Sequence, residues 1–211
     1  MPPRKSLKKW VERDYEKRLT ERGLNKPSKL HISVFKIDAV FQAAEELVKY
    51  GRQNRGQFIF LGQSMRPLFE SVRALNEIER AVPRRNLKYI VTPKSSRVNF
   101  QRDVETVKQN LLQRKVASEK QNTYFIVDVS FVGYTKKVVT EAIKRINPNA
   151  VVIDMQKGVI GEGIIAADAN LTVPTNKHWR TAKVSPGQQH QRDHYLVFQQ
   201  ALQDYLKERR R

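Results

Sequence analysis

The chain has 211 residues, with 40 Lys and Arg against 21 Asp and Glu and a formal charge of +19; its isoelectric point is near 10.3 and its mean hydropathy −0.62. It contains no run of about 18 apolar residues that would read as a transmembrane helix, and the lack of cysteine excludes disulfides, thiolate chemistry and cysteine-based zinc sites. A field of this sign attracts polyanions, nucleic acid first, with phosphorylated small molecules and acidic membranes weaker candidates; a basic surface that serves only solubility is the plain alternative.

The N-terminal stretch MPPRKSLKKWVERDYEKRL has no apolar signal core, and Glu12, Asp14 and Glu16 are out of place in a mitochondrial presequence. An intracellular protein, cytoplasmic or associated with nucleoprotein, is therefore expected, with no membrane partner. Residues 6–22 predict a helix, since Leu7, Trp10, Val11, Tyr15 and Leu19 recur at helical spacing. Residues 1–26 hold nine Lys/Arg and four Asp/Glu. The helix reads either as docked by its apolar stripe or as a basic arm for a polyanion, and both roles are compatible.

After a break at Gly23–Ser28, LHISVFKI reads as a short strand or loop. Asp38 is expected to cap a helix reaching about Tyr50, with Val40, Phe41, Ala44, Leu47 and Val48 inward. GRQNRG is a turn and QFIFL a buried strand. Pro67 suits the first position of the next helix, whose stripe is Leu68, Val72, Leu75 and Ile78. LKYIVT predicts a strand near 87–92, and a helix follows from about Arg102 to Leu112. TYFIVDV is almost continuously apolar, as a central parallel strand should be. Val138, Val139, Ala142, Ile143 and Ile146 mark a helix, and AVVIDM the next strand. Lys157–Gly163 reads as a glycine-rich turn, IIAADANLTV as a further strand, VSPGQQHQRD as a linker, and about 191–208 as a final helix ending in KERRR. The alternation predicts an α/β fold, a parallel sheet flanked by helices. It divides into a basic N-terminal helical arm (1–28), an α/β domain (29–178), and a linker with a C-terminal basic helix (179–211).

In such a sheet ligands bind beyond the C-terminal strand ends, at helix N-termini. GQSMRP and DVSFVGYT occupy two such places. The first offers Gln63, Ser64 and Arg66 to an anion; the second offers Asp128, Gly133, Tyr134, Thr135 and Lys136, with Lys137 beside them. The sequence FIVDVSFVGYT resembles the ribose-5-phosphate loop of type I phosphoribosyltransferases. Upstream, AVFQAAEELVKYGRQNRGQFIFLGQSMRPLFESVRAL resembles that family's first helix, core strand, pyrophosphate loop and next helix, and LKYIVTPKSSR falls where the family has a strand and a flexible loop. The likeness covers about residues 38–155. It implies a phosphoribosyltransferase-like fold with basic helical extensions at both ends, and a site for PRPP, in which two acids hold the ribose hydroxyls directly or through Mg²⁺. Here Asp128, Gly133 and Thr135 match. Val127 replaces the first acid, Phe131 stands at the usual catalytic acid or base, and Val132 replaces a threonine.

Ser64 could also be the nucleophile of a G-x-S-x-G elbow, but Arg66 stands at the final glycine, where strand and helix approach closely; the plainer role is a helix cap. His190 and His194, with Asp193, share a helix face but supply too few ligands for a metal site. No catalytic residue is assigned. From Arg80 to Arg102 there are seven basic residues and no acid: Arg80, Arg84, Arg85, Lys88, Lys94, Arg97 and Arg102, interleaved with Tyr89 and Phe100. On the resemblance this stretch would surround the flexible loop at the mouth of the site, where basic side chains neutralise phosphates and aromatics stack on bases. The expected function is a non-catalytic protein that binds nucleic acid (RNA or DNA) or a nucleotide on a degenerate phosphoribosyltransferase-like domain. The alternatives are an active, divergent phosphoribosyltransferase using PRPP and Mg²⁺, and a structural component of a nucleoprotein assembly.

Overall fold

The computed structural model describes residues 5–24, 37–62, 65–90, 99–128, 133–168 and 186–208. In chain order these form α1 (Lys5–Glu21), α2 (Ile37–Gln53), β1 (Gln57–Leu61), α3 (Arg66–Glu79), β2 (Leu87–Ile90), α4 (Phe100–Gln113), β3 (Thr123–Val127), α5 (Tyr134–Ile146), β4 (Val151–Asp154), α6 (Gly158–Asp168) and α7 (Pro186–Glu208). A 3-10 turn at Arg84–Asn86 leads into β2. Among the described residues no helix is long and apolar enough to cross a membrane.

The four strands make one parallel sheet of order β2-β1-β3-β4. Its register pairs Phe60 of β1 with Tyr89 of β2 on one side and with Val127 of β3 on the other. β1 and β3 are central and buried along almost their whole length, which is why their sequences are runs of apolar residues and do not alternate.

Side chains still alternate between the two faces. Phe58, Phe60, Phe125 and Val127 enter one core with α2, α3 and α6, while Ile59, Leu61, Tyr124 and Ile126 enter a second core with α4 and α5. The first core is strongly aromatic. Phe58 and Phe125 lie 4.7 Å apart, and Tyr50 meets Phe125 edge-on at 5.1 Å. Each such burial contributes about 1.5–3 kcal/mol.

The crossover from β1 to β2 runs through α3 on one face. The return through α4, and the next step through α5, run on the other, as right-handed connections in a sheet of this order require.

α1 and α7 pack together and join the first core. Leu7, Val11, Tyr15 and Leu19 of α1 are buried there with Val197, Phe198, Ala201, Leu202 and Tyr205 of α7. Trp10 packs against Tyr205 at 5.4 Å. The Tyr15 hydroxyl and His194 Nδ1 are hydrogen-bonded at 2.7 Å, and Arg18 reaches Asp204 at 2.9 Å. The apolar stripe of α1 is thus spent on docking.

Four sequence expectations give way here. The glycine-rich turn at Lys157–Gly163 and the strand expected in IIAADANLTV merge, from Gly158 as far as Asp168, into a single helix, α6; residues beyond 168 of that stretch lie outside the described residues. The reason is packing: a Cβ on Gly163 would run into the Ala43 side chain and sit 2.6 Å from the Ala39 carbonyl oxygen, so this glycine lets α6 lie directly on α2. The expected linker VSPGQQHQRD turns helical at Pro186, which opens α7; proline suits a first turn, where its missing N–H costs nothing. Finally, α2 starts at Ile37, so Asp38 sits inside the first turn and not at the cap. The rest of LHISVFKI lies outside the described residues.

Candidate functional site

The strand order reverses direction between β1 and β3, and the crevice outside their C-terminal ends is the ligand position of an open parallel sheet. The structure makes neighbours of β1 and β3, whose C-terminal ends lead into the two predicted turns; residues 63–64 and 129–132 of those turns lie outside the described residues. After β1, Gly62 takes a left-handed conformation (φ 77°) and its N–H bonds the Ile90 carbonyl at 2.8 Å. Met65 is the N-cap of α3, with Arg66 and Pro67 following. After β3 comes Asp128, buried at the strand end. Gly133 (φ 69°) is the N-cap of α5. A Cβ on Gly133 would meet nothing within 4 Å, so glycine is present for its backbone angle and not for space. Among the described residues neither α3 nor α5 has a side-chain cap.

The charged side chains predicted for this crevice are engaged elsewhere. Arg66 Nε bonds Glu70 Oε1 at 3.0 Å, and Gln199 bonds the same oxygen at 2.9 Å. Lys136 forms an ion pair with Asp154 of β4 and reaches Gln156 Oε1 at 3.4 Å. The Tyr134 hydroxyl donates to Asp103 of α4 at 2.7 Å, and its ring meets Phe100 edge-on. Thr135 is half-buried at the second helical position of α5, behind the cap. Val127, at the family's first acid, is fully buried in the core shared with α2 and α3. Gln63, Ser64, Phe131 and Val132 lie outside the described residues. The N-cap position expected for Ser64 falls on Met65. His194, one half of the histidine pair, is buried against Tyr15 and Leu24, its Nε2 being 3.3 Å from the Leu24 carbonyl oxygen. Among the described residues no three His, Asp or Glu side chains gather as a metal would require.

The basic stretch is divided by the fold. β2 separates Arg80, Arg84 and Arg85, which precede it, from Arg102, which lies in the first turn of α4 beyond it. The first three therefore sit at the N-terminal edge of the sheet, opposite the crevice, and not around its mouth. Lys88 is the second residue of β2 and half-buried, while Lys94 and Arg97 lie outside the described residues.

What the stretch loses in continuity the N-terminal edge regains from elsewhere. All strands are parallel, so the segments entering them share one edge. Residues 52–56, 80–86 and 114–122 enter β1, β2 and β3, and they carry Arg52, Arg55, Arg80, Arg84, Arg85, Arg114, Lys115 and Lys120 against Glu119 alone. All eight are exposed. Arg52 pairs with Glu79 at 2.8 Å and Arg84 with Glu77 at 3.5 Å; the other six make no ion pair with any described residue. Sequence reading missed Arg52, Arg55, Arg114, Lys115 and Lys120, because only the parallel pairing makes neighbours of segments so far apart in the chain.

The rim is held rigidly. Asn76, buried in α3, donates from Nδ2 to the Val82 carbonyl at 2.7 Å and accepts from the Val82 N–H at 2.8 Å. Asn86 donates to the Gly56 carbonyl at 3.1 Å, tying the approach to β2 to the approach to β1. Arg80 (φ 51°) and Lys115 (φ 53°) are the two described non-glycine residues in the left-handed region, each just past a helix end where glycine is the cheaper residue. Beside the rim a cavity of about 260 Å³ is lined by Phe69, Arg73, Asn76, Glu77, Arg84 and Leu87. Phe69 stacks on Tyr89 at 5.3 Å, and the Arg73 guanidinium lies 5.6 Å over the Phe69 ring. Burial pushes the Tyr89 phenol up to about 12, with Arg66 pulling the other way. Comparison with protein-family models, with curated proteins and with solved structures finds no match to this chain.

Proposed function

We propose that this chain binds nucleic acid, without catalysis, through the basic rim at the N-terminal edge of a phosphoribosyltransferase-like α/β domain. The observation that carries the reading is the convergence of three sequence-distant segments, which hold Glu119 as their one acid, into eight exposed cations, of which Arg52 and Arg84 are paired with Glu79 and Glu77 of α3. Six of those cations have no carboxylate partner among the described residues, so their charge is available to phosphates. A small phosphorylated substrate needs no such extended surface, whereas a nucleic-acid backbone presents phosphates along its whole length.

Binding to a labelled oligonucleotide tests the reading. With six cations engaged, log K should fall against log salt with a slope of about −4 to −5. Salt-insensitive binding, or none at low salt, would sink it.

A second reading, an active phosphoribosyltransferase using PRPP and Mg²⁺, is favoured by one observation: the turns after β1 and β3 are neighbours across the reversal of strand order. The residues present do not fit that pair of ligands. Asp128 is the single acid of the expected two, Val127 is packed in the core, and Arg66 and Lys136 are held by carboxylates. No reaction step is derived through PRPP or Mg²⁺. Thermal stabilisation by PRPP with Mg²⁺ would favour this reading over the first.

A further inference from the structure

We infer that the rim takes a duplex and not a single strand: its two outer groups of cations hold phosphates of two strands on either side of a narrow groove, with the approach to β1 between them. The inference rests on the nucleic-acid reading above and names the form of polyanion that the same surface takes.

The sheet order sets the arrangement. β1 pairs with β2 on one side and β3 on the other, so the approach to β1 lies between the other two. Arg80, Arg84 and Arg85 form one outer group, and Arg114, Lys115 and Lys120 the other. Neighbouring strands are about 4.8 Å apart, which puts the two outer approaches roughly 10 Å apart. A single strand follows one path and would leave one group idle. A duplex presents two rows of phosphates, which border the minor groove of B-DNA, about 6 Å wide, or the deep, narrow major groove of A-form RNA. It also carries one charge per about 1.7 Å of its axis, twice the density of one strand.

The residue types point the same way. Surfaces that bind single strands add aromatic side chains on which bases stack. Segments 52–56, 80–86 and 114–122 contain no Phe, Trp or Tyr, and their Val82, Val116 and Ala117 are buried. The cavity beside the rim holds one aromatic ring, but Phe69 is already packed on Tyr89 and Phe60, each at 5.3 Å, with Arg73 over it. The rim therefore offers cations to phosphates and no described ring to a base.

The spacing is also preformed. Besides the Asn76 and Asn86 ties, the approach to β3 has its own. Asn147 donates to the Gln121 carbonyl at 3.1 Å, the Val151 N–H bonds the Asn122 carbonyl at 2.8 Å, and the Ser118 N–H donates to the Tyr124 hydroxyl at 3.1 Å. Cations fixed in this way gain most from a ligand whose phosphates are equally fixed, because neither side then loses much freedom on binding.

Fluorescence anisotropy on the full chain tests this, with one mixed sequence presented as a DNA duplex, as an RNA duplex and as each unpaired strand. The better duplex should bind at least about fivefold more tightly than its own single strands, with a salt slope near about −5. Which duplex binds better identifies the source as DNA or RNA. Arg80→Ala/Arg85→Ala and Arg114→Ala/Lys120→Ala each remove two cations from one outer group, all at exposed positions, so both variants should keep the parent melting temperature. Each pair should weaken duplex binding at least about fivefold, with the slope shallower by about two, and should narrow the preference over single strands. A smaller duplex preference, or the reverse, with steep salt dependence intact would overturn the inference and leave the rim standing. Loss of duplex affinity confined to one of the two pairs would overturn it as well. No binding of any strand or duplex at low salt would overturn both readings.

Discussion

Asn76 closes a loop on itself through Val82: one side-chain amide satisfies both the N–H and the carbonyl of a single buried residue six positions later. The clamp fixes the turn that carries Arg80, Arg84 and Arg85. Asn76→Ala would orphan two buried backbone groups at about 1–3 kcal/mol each. A fall in urea stability of this size is expected, whereas a change below about 0.5 kcal/mol would show that the loop is held by something else.

Arg80 separates function from stability. Its left-handed conformation costs an arginine roughly 1 kcal/mol that glycine would not incur. Arg80→Gly should therefore leave the melting temperature unchanged or raise it, while lowering affinity for nucleic acid and making the salt slope shallower by about one. A variant that lost stability and kept its affinity would show that Arg80 serves the fold.

The contact between α6 and α2 depends on Gly163. With Ala39 and Ala43 in the way of any Cβ, Gly163→Ala should destabilise by about 1–3 kcal/mol in chemical denaturation. At Gly161 the nearest obstruction, the Gln156 carbonyl carbon, is 3.2 Å away. The helix-propensity gain of about 1 kcal/mol should keep Gly161→Ala near neutral.

The pairing of α1 with α7 has an acid-sensitive component. A hydrogen bond from Gln200, with the Arg18 and Lys207 charges adding to it, holds the Asp204 carboxyl below its ordinary value. A depressed acid contributes stability above its unfolded pKa, about 3.9, and loses it as pH falls through the lower folded value. Asp204→Asn should abolish this component of the acid limb between pH 4 and lower values, an effect of under about 1 kcal/mol because the pair is near the surface. An unchanged acid limb in the variant would assign the sensitivity to other carboxylates.

The strands and most helices are legible in the sequence because burial writes itself into composition: QFIFL and TYFIV are apolar on both faces because both faces are covered. α6 was not legible, since Gly158, Gly161 and Gly163 carry the local signature of a turn while the packing use of Gly163 depends on α2, far earlier in the chain. The crevice was legible as two turns, and the fold makes them neighbours. What the sequence could not show is that Arg66 and Lys136 are held by Glu70 and Asp154. Nor could it show the rim. Chain order groups Arg80 with Arg102, whereas the parallel sheet sends them to opposite edges and joins Arg80 instead to Arg55 and Lys115.

That division of charge is tested most directly by comparing two charge reversals, one at each edge of the sheet. The pair Arg80→Glu/Arg85→Glu alters the rim, and Lys137→Glu alters an exposed lysine at the start of α5, beside the crevice. Oligonucleotide affinity measured across a salt series should fall at least about tenfold for the rim pair, with the slope shallower by about two, and should stay near the parent value for Lys137→Glu. Loss of affinity at Lys137 with the rim pair unaffected would contradict the account and return the polyanion to the crevice.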